Sequence, residues 1–456
     1  MIDVFAQNKN YVLANYSDKN LPKDCIGHPF IESLPIFKQP SEIIQALNNS
    51  VVIGQSEKLD SREVRLNSLR KLKEHFIALP RDGMLWGVLQ REITSVYLGR
   101  YKADPNHYRK LLNCQTPICV GPDGYKPSFM VLKGASGAGK TTSINRVLSQ
   151  IPQVIRHTNY NGYPFQTNQI PWIKIDCPHN GTHKPILIDI ISQIHSLLGQ
   201  DSKKPKMSRI NAETLLSYVT AMFATQGVAL LVIDNTENLV SVSEGKRMQL
   251  LNFLFNLYEK TGVFVVFIGT PEIESVIASE LRAHRRSIEQ DVPRWTSLSD
   301  RDWQRFIESL WSVQLTQNQT SLTDDLNELM REFSLGLPGI ARPLFTKVQD
   351  EAIRMGHSGS GEIITPSLLS RVANEHLNGI YESLGVSFES GSLGPINKRA
   401  TNKNTQTETG KSQKKDALVL DRSFLRELLK LAKDEVSIIE GLEDLGLRIP
   451  NHLVQA

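Results

Sequence analysis

The sequence predicts an α/β fold in which helices flank a parallel β-sheet, with a helical N-terminal region before the sheet and a helical lid after it. Helix-length segments separate short apolar runs, and this alternation is typical of a parallel sheet covered by helices. The runs are residues 129–132, 172–175, 228–233 and 263–268. Beyond the last run, Trp303, Phe306, Ile307 and Leu310 recur with helical spacing, which indicates the lid.

Pattern and composition divide the chain into segments. They are a helical N-terminal region (1–120), an α/β domain (121–296), a helical lid (297–385), a flexible linker (386–417) and a C-terminal partner-binding helix (418–456). In the linker apolar residues nearly vanish, so too little surface is available to offset the entropy of ordering. In the last segment, Phe424, Leu425, Leu428 and Leu429 form an apolar stripe of the kind that docks on another protein.

The bulk composition favours a globular protein without membrane contact. The chain has 456 residues, of which 40% are hydrophobic and 22% charged. No run approaches the roughly 18 uninterrupted apolar residues of a membrane helix, and residues 1–10 lack the apolar core of a signal peptide. We therefore expect a cytoplasmic protein. The net charge of +4 permits an anionic partner such as DNA without demanding one.

A glycine-rich loop follows the first apolar run and precedes a helical segment. Its residues are Gly134, Ala135, Ser136, Gly137, Ala138, Gly139, Lys140, Thr141 and Thr142. This spacing is that of a phosphate-binding loop, whose glycines let backbone N–H groups turn inward around phosphates at a helix N-terminus. We expect these residues to bind ATP, with Lys140 reaching the β- and γ-phosphates and the Thr141 hydroxyl binding Mg²⁺.

A second candidate site element is the apolar strand that ends in Asp234. An acid in this position holds Mg²⁺ in P-loop NTPases, so Thr141 and Asp234 are the predicted metal ligands. Many ATPases carry a glutamate directly after that acid, but this chain has Asn235, and an amide can position water without taking its proton. Glu237 either supplies the missing base or is an ordinary surface acid. We therefore expect slow hydrolysis of ATP.

Further candidates concern the γ-phosphate. Thr270 follows the last apolar run and is either a γ-phosphate sensor or part of a strand-end turn. Arg285 and Arg286 belong to a basic cluster from which one arginine would reach the nucleotide of a neighbouring subunit. Arg342 begins a helix after a glycine-bounded turn and is expected over the same phosphates. Together with the loop and the lid, these residues indicate an oligomeric ATPase of the AAA+ kind.

Basic and metal-binding residue types outside the loop allow less specific predictions. Lys184 follows the second apolar run, and Lys203 and Lys206 lie in a polar loop, where they either contact DNA or remain solvated. Zinc binding is not expected, because the spacing of the cysteines and histidines departs from common ligand patterns. The residues considered for zinc are Cys114, Cys119, Cys177, His179 and His183.

With these residues identified, the chain resembles TnsC, the AAA+ regulator of target selection in bacterial cut-and-paste transposons, and the related TniB. The likeness extends over roughly residues 25–385. Besides the phosphate loop, it is carried by residues 27–36, 97–100, 104–105, 175–178, 268–271 and 303–311. The chain departs from the family at Asn235, which takes the place of the usual acidic residue.

The resemblance implies ATP-dependent assembly into rings or filaments around double-stranded DNA. It also implies recruitment by a target-selector protein of the TniQ or TnsD type and contact with transposase subunits through the C-terminal helix. The loops after the second strand would then face DNA, which favours Lys184 and Lys206. An alternative that the residues leave open is a signalling or scaffold NTPase whose partners are proteins only.

Overall fold

The computed structural model describes residues 11–16, 21–35, 38–101, 128–200, 207–273, 277, 294–356, 361–377, 381, 386–388 and 395–397. All of them belong to a compact unit that spans Met1–Arg399, while Ala400–Ala456 form a second unit. The predicted C-terminal helix therefore lies outside the described residues. So does most of the predicted linker, although two short strands are described at its beginning.

The secondary structure elements are numbered here in chain order. The strands are β1 (Tyr11–Leu13), β2 (Phe129–Lys133), β3 (Val154–Tyr160), β4 (Tyr163–Gln169), β5 (Trp172–Asp176), β6 (Leu230–Asp234), β7 (Phe264–Gly269), β8 (Val386–Phe388) and β9 (Pro395–Asn397). The helices are α1 (Pro29–Glu32), α2 (Pro40–Leu47), α3 (Gln55–Lys58), α4 (Arg62–Ser68), α5 (Pro80–Arg100), α6 (Lys140–Leu148), α7 (Lys184–Leu197), α8 (Ala212–Thr225), α9 (Asn238–Ser241), α10 (Glu244–Thr261), α11 (Asp300–Trp311), α12 (Asp324–Ser334), α13 (Pro338–Met355) and α14 (Pro366–His376). Short 3₁₀ helices cover Lys23–Cys25, Leu69–Lys73 and Met207–Arg209.

The central sheet is parallel and has the strand order β2-β7-β6-β5. Every residue of β6 and β7 is buried, which agrees with their near-continuous apolar sequences. Helices cover both faces, so the predicted α/β fold is confirmed. Because β2, β7 and β6 are neighbours, their carboxyl ends bring the residues that follow each strand to one edge of the sheet.

Side chains of the central sheet alternate between two apolar cores, as the period of two in a strand requires. In β6, Leu231 and Ile233 join the core formed with α7, α8 and α10. Leu230 and Val232 join the core on the opposite face, which includes residues of α5, α6 and the lid helices. The N-terminal region and the lid therefore share a core with the helix that follows the phosphate loop.

Local sequence signals fix the ends of two helices. Helix α5 begins with Pro80, whose missing N–H costs nothing in a first turn, and the Asp82 carboxylate accepts a hydrogen bond from the Leu79 N–H at 2.7 Å. Helix α10 ends at Thr261 and is capped by Gly262, which adopts a left-handed conformation with φ of 65°.

A second, three-stranded sheet is not predicted by the sequence analysis. Strand β3 pairs antiparallel with β4 through the turn Asn161-Gly162, where both residues have positive φ, a conformation that matches the twist of a tight hairpin. Strand β1 pairs parallel with the other side of β3. The N-terminal region is thus helical over most of its described length, but it also contributes one strand. With only 3 residues, β1 is too short to show an alternating pattern.

A buried ion pair connects the N-terminal region to the lid. Both Arg65 and Glu362 side chains are largely inaccessible, at 3% and 7% exposure, and the guanidinium engages the carboxylate with two nitrogens. Arg65 also donates to the Leu315 carbonyl at 3.1 Å, and Glu362 accepts from the Gln317 N–H at 2.8 Å. Charges buried in this way tolerate little displacement, because separating them would leave each charge without compensation.

A buried histidine connects the second sheet to the N-terminal region. Gln169 Oε1 can only accept, so His157 Nε2 donates to it at 3.0 Å and His157 Nδ1 accepts from the Tyr16 hydroxyl at 2.5 Å. The Gln169 amide donates in turn to the Phe30 carbonyl at 2.8 Å and to the Tyr97 hydroxyl at 2.9 Å. Burial lowers the pKa of His157 to about 4, so the imidazole is neutral at pH 7.

We expect this histidine to make stability depend on pH. Its pKa is about 6.5 in the unfolded chain and about 4 in the folded one, so the unfolded state binds more protons between these values. Stability is therefore full above pH 6.5 and is lost as the pH falls towards 4, by up to about 3 kcal/mol for this group. When the free energy of unfolding is measured in urea at several pH values, it should fall less steeply between pH 6.5 and 4 for His157→Gln than for the wild type. The exposed control His376→Gln should keep the wild-type slope, and equal slopes for all three proteins would contradict this account.

Candidate nucleotide site

The phosphate loop joins β2 to α6 and has a backbone that only glycine permits at several positions. Gly137 and Gly139 have φ of 78° and 94°, in the region that side chains disfavour. At Gly134 a Cβ atom would lie 2.1 Å from the Trp295 carbonyl oxygen, which also accepts a hydrogen bond from the Ala135 N–H at 2.9 Å. The glycines of the predicted loop and its contacts with Trp295 therefore determine its backbone conformation together.

Lys140 is the first residue of α6, and its side chain folds over the loop. Its ammonium donates to the carbonyl oxygens of Gly134 and Ala135 at 2.8 and 2.9 Å. Burial lowers the pKa of Lys140, while the carboxylates of Glu237 and Asp234 raise it. The ammonium thus lies at the mouth of the loop, where backbone N–H groups and the α6 dipole also favour an anion.

Asp234, the carboxylate at the end of β6, lies against the first turn of α6. Its Oδ1 accepts from the Thr141 hydroxyl at 3.2 Å and from the Asn235 N–H at 2.9 Å, and only 3% of its side chain is exposed. A hydroxyl and a carboxylate oxygen at a helix N-terminus are the hard donors that Mg²⁺ prefers. The two predicted ligands, Thr141 and Asp234, therefore come together in a geometry that fits this metal.

Lys174, which the sequence analysis missed, is the second partner of Asp234. Its ammonium lies 2.8 Å from Asp234 Oδ2. The lysine is part of an apolar run, and no local pattern indicates that it faces the phosphate loop. Its position depends on the pairing of β5 with β6 in the central sheet.

The residues that follow β6 and β7 lie next to the loop. Asn235 has a left-handed backbone with φ of 55°, and its amide donates to the Asp176 carboxylate at 3.1 Å. Glu237 is close enough to Lys140 to raise the pKa of its ammonium. Thr270 follows Gly269, whose carbonyl accepts from the Gly134 N–H at 3.2 Å, so this threonine adjoins the start of the loop.

The lid contacts the loop through backbone atoms. Gly339, in the first turn of α13, donates its N–H to the Gly137 carbonyl at 2.8 Å, and a Cβ atom at Gly339 would lie 2.6 Å from that oxygen. One turn further, Arg342 is half-buried, and its buried Nε atom has no hydrogen-bond partner among the described residues. Burial and the nearby Arg146 both lower the pKa of Arg342, and within the described part of the chain no carboxylate pairs with its guanidinium.

A pocket lies beside the loop, between the N-terminal region and the lid. The empty space in the pocket is about 450 Å³, a volume that includes the solvent at its open side. Its walls combine apolar side chains with two arginines, as expected for a flat ring next to an anionic group. The lining residues are Phe76, Ile77, Leu79, Arg81, Asp82, Gly139, Thr142, Ser143, Phe306, Pro338, Gly339 and Arg342.

Arg81, in the wall of this pocket, is a second residue that the sequence analysis missed. Its guanidinium donates to the Ala138 carbonyl at 2.9 Å and lies 5.3 Å from the ring centroid of Trp295. Burial lowers its pKa, while Asp82 and Asp302 raise it. Like Arg342, Arg81 places a positive charge against the phosphate loop from outside the α/β domain.

The structure leaves several predicted site residues untested. Arg285, Arg286, Lys203 and Lys206 lie outside the described residues, as do Cys114 and Cys119. Lys184 is the first residue of α7 and is half-buried, after the loop that leaves β5. Ser136 is exposed at the tip of the phosphate loop.

The described residues also bear on metal and membrane binding. In that part of the chain, no group of three or more His, Cys, Asp or Glu side chains is arranged to hold a metal ion. Cys177 is buried, and burial raises the pKa of its thiol to about 12. None of the helices over the same residues combines the length and apolarity that crossing a bilayer requires.

Comparison with known proteins identifies the domain that contains this site. The sequence profile of a family described as "AAA domain" matches residues 124–277, which include the phosphate loop, Lys174 and Asp234. The fold is that of an AAA+ P-loop domain. No curated protein matches the chain significantly.

Solved structures similar to this chain are distant in sequence. The ADP form of Aeropyrum pernix ORC2 is 13% identical over 60% of this chain and 67% of its own, with a TM-score of 0.37. Pyrobaculum aerophilum Cdc6p is 15% identical over 59% of this chain and 67% of its own, with a TM-score of 0.36. Drosophila ORC bound to DNA is 14% identical over 58% of this chain and 59% of its own, with a TM-score of 0.28.

The contact between lid and loop leads to a testable prediction. Gly339→Ala would place a methyl group against the Gly137 backbone, so the lid must move away from the loop. We expect the affinity for a fluorescent ATP analogue, measured by anisotropy, to fall by about tenfold. Gly87→Ala is the matched control, because a Cβ atom in that helix would meet only the Arg91 side chain, at 3.5 Å. Equal affinities for the two variants would show that the lid contact does not matter for binding.

Proposed function

We propose that this protein is an ATP-dependent, DNA-binding regulator of transposition that oligomerises on target DNA and links a target selector to the transposase. The ATP-binding part rests on one observation above all. Lys140, Thr141 and Asp234 converge on the phosphate loop, and the lid adds the charge of the half-buried Arg342, which has no carboxylate partner among the described residues. The role in transposition rests on the resemblance of residues 25–385 to TnsC.

The site residues divide the work of binding Mg·ATP. The loop N–H groups and Lys140 would hold the phosphates, and Arg342 would approach them from the lid. Thr141 and Asp234 would hold Mg²⁺, which supplies neutralising charge for the β- and γ-phosphates when it is bound. The pocket beside the loop would take the base between the apolar walls formed by Phe76, Leu79 and Phe306.

Glu237 is the residue we propose as the base for hydrolysis. The Asn235 side chain is engaged by Asp176, and an amide cannot accept a proton from water. Glu237 instead has a carboxylate close enough to Lys140 to raise the pKa of its ammonium, which supports a role beside the phosphate loop. Its position two residues after Asn235 makes the general base atypical, so hydrolysis is expected to be slow.

Single-turnover ATP hydrolysis tests this assignment. Glu237→Gln should reduce the rate constant for hydrolysis by about 100-fold, which is the contribution that general-base catalysis makes to a chemical step. The affinity for ATP should stay within about threefold of the wild-type value, because the base is not needed for binding. The exposed Glu244→Gln is the charge-matched control and should hydrolyse ATP at the wild-type rate. A wild-type rate in Glu237→Gln would show that this carboxylate is not the base.

ATP binding would act on assembly through the lid. Because Gly339 contacts the loop directly, a nucleotide in the loop would fix the position of the lid and of the subunit surface that the lid forms. Arg285 and Arg286 remain our candidates for a finger that completes the site of a neighbouring subunit. Lys184, Lys203 and Lys206 remain the proposed DNA contacts, and the C-terminal helix remains the proposed transposase contact.

Electron microscopy and gel-shift assays test the switch. With a non-hydrolysable ATP analogue and duplex DNA, we expect rings or filaments on the DNA, and neither without nucleotide. Lys140→Ala should abolish both, because the phosphates lose their main side-chain cation, whereas Lys260→Ala at the exposed end of α10 should not. Monomers under all conditions would refute the proposal. Nucleotide binding without any response to DNA would favour a signalling or scaffold NTPase.

A further inference from the structure

Lys174 and Asp234 form an ion pair inside the nucleotide site. The Lys174 ammonium lies 2.8 Å from Asp234 Oδ2, and the two side chains are 22% and 3% exposed. The other carboxylate oxygen, Oδ1, accepts from Thr141 and from the Asn235 N–H. Both oxygens of the predicted metal ligand are therefore engaged, one by neutral donors and one by a full positive charge.

The register of the central sheet explains how Lys174 reaches this carboxylate. Strands β5 and β6 are parallel, and Lys174 pairs with Val232, two residues before Asp234. Residues two apart on a strand share a face, so Lys174 and Asp234 lie on the same side of the sheet. Ile173 and Ile175 enter the core on the opposite side. The lysine is thus directed towards α6 and the phosphate loop.

The placement of a second lysine here has an electrostatic consequence. A buried carboxylate next to a triphosphate site repels the nucleotide unless a cation neutralises it. Mg²⁺ does so when it accompanies ATP, and Lys174 places its ammonium against the same carboxylate without any bound metal. Lys140 acts on the same carboxylate from further away, because its ammonium donates to carbonyl oxygens of the loop.

We propose that Lys174 is a built-in counter-ion of Asp234 that reduces the dependence of ATP binding on Mg²⁺. It is a positioning residue that acts through Asp234 and does not touch the nucleotide. Its charge favours metal-free ATP and, by repulsion between cations, limits the additional affinity that Mg²⁺ brings. This inference rests on the proposed function, because it requires that the site bind ATP.

The test compares affinity for a fluorescent, non-hydrolysable ATP analogue in EDTA and in excess Mg²⁺. In Lys174→Met the affinity in EDTA should fall by about tenfold while the affinity in Mg²⁺ changes by less than about threefold. The ratio of the affinity in Mg²⁺ to the affinity in EDTA therefore rises. Lys174→Arg should keep the wild-type ratio, because arginine retains the charge. Lys260→Met removes the same charge at the exposed end of α10 and should also keep it.

The Asp234→Asn background separates the charge effect from a structural one. In Asp234→Asn with Lys174→Met the pair again carries no net charge, so the affinity in EDTA should be about that of the wild type. This double variant also buries no unpaired carboxylate, so it remains informative if Lys174→Met alone does not fold. An affinity in EDTA about tenfold below the wild type in the double variant would overturn the proposal.

Other outcomes are equally decisive. Equal loss of affinity in EDTA and in Mg²⁺ for Lys174→Met would mean that the lysine only supports the local structure. An unchanged ratio of affinities in that variant would also overturn the counter-ion role. If the wild-type protein bound no nucleotide in either buffer, the proposed function would fail instead, and the two failures are thereby distinguished.

Discussion

The close approach of backbone to backbone around the phosphate loop is the constraint on which the rest of the site depends. Trp295 lies against Gly134 and Gly339 lies against Gly137, at distances that leave no room for a side-chain Cβ atom. Steric exclusion at these contacts is steep, so the loop, the segment at residue 295 and the first turn of α13 hold one another in place. Lys140, Thr141 and Arg342 take their positions from this arrangement.

Charge is distributed unevenly around that loop. Asp234 is neutralised locally by Lys174 and hydrogen-bonded by Thr141, whereas the half-buried Arg342 has Arg146 nearby and no carboxylate partner in the part of the chain that the structure describes. Burying a charge without compensation costs free energy, and an anion of several charges bound in the loop would offset that cost. The electrostatics therefore support the same ligand class as the loop backbone, a nucleoside polyphosphate.

The N-terminal region and the lid are joined more firmly than their separation in sequence suggests. They share an apolar core with α6, and the buried pair of Arg65 with Glu362 adds a polar connection between them. His75 adds another, since its Nε2 atom lies 3.0 Å from the Ser309 hydroxyl of α11. A displacement of the lid would consequently carry helices of the N-terminal region with it. A nucleotide-dependent movement of the lid would therefore also shift the surface that the N-terminal helices form.

The sequence by itself determined the parallel sheet, the phosphate loop and the acid at the end of β6, because each depends on local periodicity or on residues adjacent in the chain. Helical segments of the lid were equally accessible, since Trp303 and Phe306 recur with helical spacing. The turn Asn161-Gly162 was a local hairpin signal that the sequence analysis did not use.

Only the tertiary structure decided the rest. Strand β1 needs β3 as a partner, Lys174 needs the register between β5 and β6, and Arg81 needs α5 to pack beside the loop. In each case a charged side chain or a short strand acquires its role from a segment that is distant in sequence. Local residue patterns do not predict such contacts, because they depend on how the segments pack.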